Sequence, residues 1–310
     1  MGIRHHSQAL ESRVNPPRPL WDDWPHLAGR LRSARSRVLL ADFDGTLVRI
    51  RRNPGDVHLS KAMRRLLSGI RDAGSVVGVI SGRGLEDLVS LVALPGIWYA
   101  GSHGYRLRDP RGRAISLVTA PERRRVERAV RWLKPQLGSI PGIRLDAKQP
   151  SVAVHYRTAS PRAARQAEEI VMRMLGRERG LRLLSGKKVW ELLPGDRVDK
   201  GTAVHRLLNE IHAPADRFVA YLGDDTTDES VFRKLRDGVT IVVGRRTNTA
   251  ARYHLRSMAE VREFLRRWLA IARESSGKGS GPEQRIGGLS ISEPSGVSVQ
   301  RSLDTKPNTR

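Results

Sequence analysis

The chain has 310 residues, 39% of them hydrophobic and none of them cysteine, with 56 Lys and Arg against 32 Asp and Glu for a net charge of +24. At roughly 100–200 residues per domain, that length predicts two domains or one with a large insertion. Without cysteine, disulfides, thiolate metal sites and cysteine nucleophiles are excluded. No window approaches ~18 consecutive apolar residues, so no membrane-spanning helix is expected. The charged N-terminus lacks the apolar stretch of a secretory signal, and His6 breaks the myristoylation pattern. A cytoplasmic protein is the expectation. The positive excess is scattered as short arginine clusters such as Arg51-Arg52, Arg123-Arg124-Arg125 and Arg245-Arg246. Dispersed in this way, it reads as an Arg-rich surface, with a functional anion-attracting field as the alternative.

Residues 1–35 read as an N-terminal extension, partly disordered, with Trp21 and Trp24 placed to dock onto the fold. Arg37–Gly45 (RVLLADFDG) is a short buried strand running into a polar turn. Ser60–Ala73 follows as a helix with Met63, Leu66, Leu67 and Ile70 on one face and Ser60 as its N-cap. The strand Ser75–Ile80, a helix at Leu85–Leu94 and a strand at Ile97–Ala100 continue the alternation. Residues 106–192 break it: a helix at Glu122–Leu137 precedes the strand pair Ile143–Asp146 and Val152–Tyr156. A helix at Arg162–Leu175 then leads to a second pair, Leu181–Leu184 and Val189–Leu192. The first rhythm returns with a helix at Gly201–His212, strands Phe218–Leu222 and Val239–Val243, and a helix at Ala259–Arg273. Residues 274–310 are rich in Gly, Ser and Pro and are expected to be a disordered tail. Strands alternating with single helices predict an α/β core with a parallel sheet, built from residues 36–105 and 193–273. Residues 106–192 read as an inserted α+β cap.

Ligands bind at the carboxyl ends of strands in open parallel sheets. Here Asp42 and Asp44 follow the first strand, Ser81 the second, and Asp224, Asp225 and Asp228 follow Phe218–Leu222, while Lys200 opens the helix before that strand. Three or more carboxylates without a His or Cys cluster make an oxygen cage for a hard cation such as Mg²⁺. A carboxylate beside such an ion can attack phosphorus, and a second two residues on can protonate the leaving oxygen and then activate water. Ser81 and Lys200 offer a hydroxyl and an ammonium to the phosphoryl oxygens. Each motif alone also reads as an ordinary turn, Asp being favoured there; the coincidence of all four at one edge is what singles them out.

These residues resemble the haloacid dehalogenase-like phosphatases: DFDGTL (Asp42–Leu47), Ser81, Lys200 and GDDTTD (Gly223–Asp228). Within that superfamily, residues 36–270 are similar to the trehalose-6-phosphate phosphatases. The strings that carry this are ISGR (Ile80–Arg83), GSHG (Gly101–Gly104), Asp146 and Lys148 with VAVHYR (Val152–Arg157), GKKVWELLP (Gly186–Pro194), DKG (Asp199–Gly201) and YLGDDTTDE (Tyr221–Glu229). The resemblance implies a Rossmannoid core with a C2-type cap and Mg²⁺-dependent hydrolysis of trehalose 6-phosphate through an aspartyl-phosphate. It implies Asp42 as nucleophile and Asp44 as general acid/base. Asp42, the Asp44 carbonyl and Asp224 would ligate the ion, with Asp228 completing the metal site. Gly45, Thr46, Gly82, Arg83 and His103 fall on the substrate side, and Lys148, Arg157, Lys187 and Glu191 on the sugar. Residues 187 and 191 share a strand face by alternation alone. His103 and His155 read as structural rather than catalytic. Two positions depart from the family: Arg106 stands where an acid is common, and Leu193 where a base is.

The expected partner is a small sugar phosphate, on a monomer, with no membrane and no specific nucleic acid. A sucrose- or mannosyl-phosphate phosphatase is the enzyme alternative. A basic nucleic-acid-binding protein is the alternative of another class, opposed by 5% aromatic residues and no stacking platform.

Overall fold

Seven residues, Ser36–Asp42 (β2), form the strand around which the larger sheet assembles. Its apolar run does not alternate with polar residues because both faces are covered: Leu39 and Ala41 enter one core cluster, Val38 and Leu40 the other. The computed structural model describes residues 16–51, 57–148, 150–186, 188–195, 197–212, 214 and 216–277. β2 pairs in parallel with β3 (Val76–Ile80) and β11 (Arg217–Gly223). The sheet continues outward from β11 through β12 (Val239–Val243) and β13 (Tyr253–Leu255) to β1 (Arg18–Pro19). On the other side it runs through β4 (Trp98–Gly101) to β5 (Arg106–Arg108) and β6 (Ala114–Ser116). Only the β4–β5–β6 edge is antiparallel.

Helices α1 (Trp24–Ser33), α2 (Lys61–Asp72), α3 (Leu85–Val92) and α8 (Met258–Gly277) cover one face. Helices α6 (Lys200–Glu210) and α7 (Glu229–Lys234) cover the other. The Ser60 hydroxyl accepts from Met63 N, capping α2 as the sequence predicts, and Met63, Leu67 and Ile70 are buried beneath it.

A second sheet of four antiparallel strands has the order β7 (Arg144–Lys148), β8 (Ser151–His155), β10 (Val189–Pro194), β9 (Leu181–Gly186). Helices α4 (Ala120–Leu137) and α5 (Pro161–Arg177) pack on one face of it, against Val152, Val154, Trp190 and Leu192. Strand alternation therefore turns Ser151, Ala153, Glu191 and Leu193 the opposite way, and Leu193 meets Tyr105, Val118 and Val198 of the larger body.

Four features differ from the sequence reading. Residues 106–116, placed in the insertion, extend the larger sheet as β5 and β6. Part of the N-terminal extension is core: β1 pairs with β13, and Leu20, Leu27 and Leu31 are buried. Helix α8 runs to Gly277, into the expected tail. The short β13 and α7 carry no signal in the sequence, because three to six residues leave no periodicity to read. Residues 1–15 and 278–310 lie outside the described residues. Among those described, no helix is long and apolar enough to cross a membrane.

Candidate active site

β2 ends at Asp42 and β11 at Gly223, and the parallel register between them sets Leu222 opposite Ala41. The acidic residues that follow each strand are thereby brought to one edge. After Asp42 the chain turns sharply: Gly45 N donates to Val48 O at 2.7 Å, and Leu47 N and Val48 N donate to Phe43 O. Gly45 has φ +90°, and a Cβ there would collide with the Asp224 carboxylate, so only glycine permits this approach. Lys200 is the first residue of α6, whose N-cap Asp199 accepts from Thr202 N at 2.7 Å.

The Lys200 ammonium donates to Asp42 Oδ1 at 2.6 Å and to Asp228 Oδ1 at 2.8 Å, and all three side chains are buried. Asp228 Oδ1 also accepts from Tyr221 OH at 2.6 Å, while its Oδ2 accepts from Asp224 N and Asp225 N, each at 3.0 Å. A carboxylate has about four lone-pair positions, so Asp228 is fully engaged in holding Lys200 and the 224–225 backbone. Thr46 Oγ1 donates to Asp224 Oδ1 at 3.4 Å.

Negative charge exceeds positive here, and the carboxyls register it. Burial pushes Asp42 well above the usual carboxylate range; Asp228 and Asp224 add to this and Lys200 opposes it. Asp224 is pushed up to about 6, by burial first and then by Asp228 and Asp225. Burial would lower Lys200, but Asp42 and Asp228 outweigh it and keep the ammonium charged. Oxygens of Asp42, Asp224 and Asp228 lie within 4.8 Å of one another. With Asp228 already occupied by its four donors, Asp42 and Asp224 remain as oxygen donors, and such carboxylates with unbalanced charge fit a hard divalent cation rather than a soft one.

Ser81 follows β3, is buried, and its Oγ accepts from Arg83 N at 3.2 Å. The Arg83 guanidinium grips Asp44 with two bonds, Nε to Oδ2 at 2.6 Å and Nη2 to Oδ1 at 2.9 Å. Beside this centre, Arg49, Arg256 and Arg262 line a cavity of about 660 Å³ that reaches Gly45 and Asp224. Cations at its walls favour the approach of an anion.

From the smaller sheet, Glu191 reaches this edge. Ser151 Oγ donates to its Oε1 at 2.6 Å, and His103 Nε2 lies 3.1 Å from its Oε2. The other residues expected on the sugar are not all brought to that point. Lys148 ends β7 in register with Ser151, Arg157 is exposed just beyond β8, and Lys187 lies outside the described residues. The departing residues have other partners: Arg106 pairs with Glu86 at 2.7 Å, and Leu193 lies opposite Arg182 across β9 and β10. Arg182 Nη2 donates to Val198 O at 3.1 Å, on the approach to Lys200. Tyr221 and Ser151 were not singled out from sequence, because within apolar strands both read as ordinary strand residues.

Residues 40–259 match the trehalose-phosphatase family. Trehalose-phosphate phosphatases of Mycobacterium ulcerans (strain Agy99) and Mycobacterium bovis (strain BCG / Pasteur 1173P2) are each 38% identical, over 236 and 251 residues. These alignments cover 73% and 78% of this chain but 60% and 63% of those proteins, so the chain spans about three-fifths of the length of the curated relatives it matches. The C-terminal domain of C. albicans trehalose-6-phosphate phosphatase superposes with a TM-score of 0.67 at 24% identity, over 84% of this chain and 99% of that one. The Aspergillus fumigatus trehalose-6-phosphate phosphatase gives 0.59 at 26% identity, with the same coverage. With the matched segment spanning every strand from β3 to β13 and the whole acidic centre, the chain belongs to the trehalose-phosphatase family and has its haloacid dehalogenase-like fold.

Proposed function

We propose that the protein hydrolyses trehalose 6-phosphate to trehalose and inorganic phosphate. The observation that carries this reading is the buried Asp42–Lys200–Asp228 cluster beside Asp224, in a chain of this family. Asp42 is the nucleophile: its carboxylate oxygen bonds to phosphorus as the bond from phosphorus to the sugar oxygen breaks, leaving an aspartyl-phosphate. Asp44 donates a proton to the departing sugar oxygen. It then takes one from the water that attacks the aspartyl-phosphate, which releases phosphate and restores Asp42. Arg83, bound to Asp44 through Nε and Nη2, fixes the orientation of that side chain for both steps. Lys200 and Ser81 offset charge on the phosphoryl oxygens. Asp42, the Asp44 carbonyl and Asp224 would hold a Mg²⁺ ion, oriented by Asp228 through the 224–225 backbone. Bound there, the ion supplies charge neutralisation for the phosphoryl group.

The smaller sheet with α4 and α5 serves as the lid that excludes water and meets the sugar, Glu191 accepting from its hydroxyls. A monomeric, cytoplasmic enzyme is the accompanying expectation.

Phosphate release from a panel of sugar phosphates tests this, with and without chelator. Turnover should require Mg²⁺, favour trehalose 6-phosphate, and fall by several orders of magnitude in Asp42→Asn. A preference for sucrose or mannosyl phosphate would replace the substrate. Retention of a tenth of kcat in folded Asp42→Asn would remove the mechanism.

A further inference from the structure

We infer that His103 is a positioning residue for Glu191: a side chain of the larger body that completes a sugar-recognition site whose carboxylate belongs to the lid. This rests on the reading that Glu191 meets the sugar.

Glu191 is divided between the two bodies. One oxygen takes the Ser151 hydroxyl from its own sheet, the other the imidazole of His103. A carboxylate only accepts, so Nε2 of His103 is the donor. The two bonds occupy about half of the lone-pair positions, leaving one acceptor position on each oxygen for sugar hydroxyls. The Glu191 side chain is only 18% exposed and His103 14%. A buried carboxylate without fixed donors is costly and badly oriented. Burial pushes Glu191 up, but the bonds from His103 and Ser151 outweigh it and leave the carboxyl below its ordinary range.

The loop that presents His103 is strained. Ser102 (φ +51°), His103 (φ +55°) and Gly104 (φ +99°) are three consecutive left-handed residues, two of them with side chains. Such conformations cost roughly 1–3 kcal/mol each and persist where surrounding structure holds them. Here Ser102 N donates to Arg83 O at 2.6 Å and His103 N to Ser81 O at 3.1 Å. The ring lies on Gly82, where an added Cβ would sit 2.6 Å from His103 Cε1. His103 is thus bonded through its backbone to the segment carrying Ser81 and Arg83, and through its ring to the lid. Without the lid contact, nothing in this packing calls for an imidazole at a left-handed position.

The test is the ratio of kcat/KM for trehalose 6-phosphate to that for p-nitrophenyl phosphate, which has no sugar. His103→Asn suits the backbone, since Asn tolerates left-handed φ, but its amide stops short of Glu191. His103→Gln extends an N–H donor to about the position of Nε2. The ratio should fall 10- to 100-fold in His103→Asn, mostly through KM, and recover in His103→Gln by at least threefold. Adding His103→Asn to Glu191→Ala should lower it no further, because the two act as one unit. An unchanged ratio in His103→Asn, a Gln variant no better than Asn, or additive losses in the double variant overturns the proposal. If Glu191→Ala alone collapses the ratio, those outcomes strike His103 only. If Glu191→Ala leaves the ratio intact, the sugar reading itself fails and takes the proposal with it.

Discussion

Replacing Lys200 with methionine removes one charge and little volume, which makes it the sharpest probe of the acidic centre. The ammonium is 3% exposed and lies 2.6 Å from Asp42 and 2.8 Å from Asp228, whose side chains are 6% and 0% exposed. Removing one member of a buried ionic group costs about 3–5 kcal/mol, because the remaining charges are left uncompensated. At about 2–4 °C per kcal/mol, the melting temperature should fall by roughly 10 °C. The loss should also depend on pH. Lys200 is the cause that holds Asp42 down against burial and its neighbours, so its removal drives that carboxyl still higher. A group raised in the folded state binds more protons there than in the unfolded chain, so stability falls as pH rises through that interval. In the wild type the raised Lys200 contributes fully below the ordinary lysine range and is lost only at strongly alkaline pH. The deficit of the variant should therefore be larger at pH 8 than at pH 5. The assay is thermal and urea unfolding of both proteins at each pH, in chelator so that no divalent ion takes the place of the ammonium. A deficit below about 1 kcal/mol at pH 8, or the same deficit at both pH values, would refute this account of the centre.

Tyr221→Phe deletes a hydroxyl that donates to Asp228 at 2.6 Å in the core, and urea unfolding should register a loss of about 1.5–3 kcal/mol, that of a bond to a charged group. A change under about 0.5 kcal/mol would mean that Asp228 does not need this donor. Gly45→Ala places a Cβ against Asp224 at φ +90°, so phosphate release should fall at least about tenfold with a lower melting temperature; a near-wild-type variant would show that the turn relaxes freely. Asp199→Ala removes the α6 cap beside Lys200 and should cost about 1–2 kcal/mol of stability, whereas Asp199→Asn, which still caps, should cost well under half as much.

The elements legible in the amino-acid sequence are those whose signal is local. β2 is legible because both its faces are buried and its apolar run is unbroken, α2 because Ser60 caps a periodic face, and β12 to the residue. The order of Asp42, Ser81, Lys200 and Asp224 at strand ends and a helix start was legible too, since parallel strands present their carboxyl ends at one edge. Tertiary structure decided what depends on chain segments far apart. β1 joins β13 across more than 230 residues, and β5 and β6 are strands only because β4 offers them an edge. Three-residue strands carry no periodicity, so their pairing is settled by the neighbour. The same holds in the site. Asp228 was legible as an acid, yet only packing shows its carboxylate fully occupied by Lys200, Tyr221 and two backbone amides. By residue type His103 reads as structural and Ser151 as an ordinary strand residue; their shared partner is Glu191, on a strand nearly 90 residues away from the histidine. Residue types announce the chemistry available to a chain; hydrogen-bond partners are chosen by which surfaces the fold presses together.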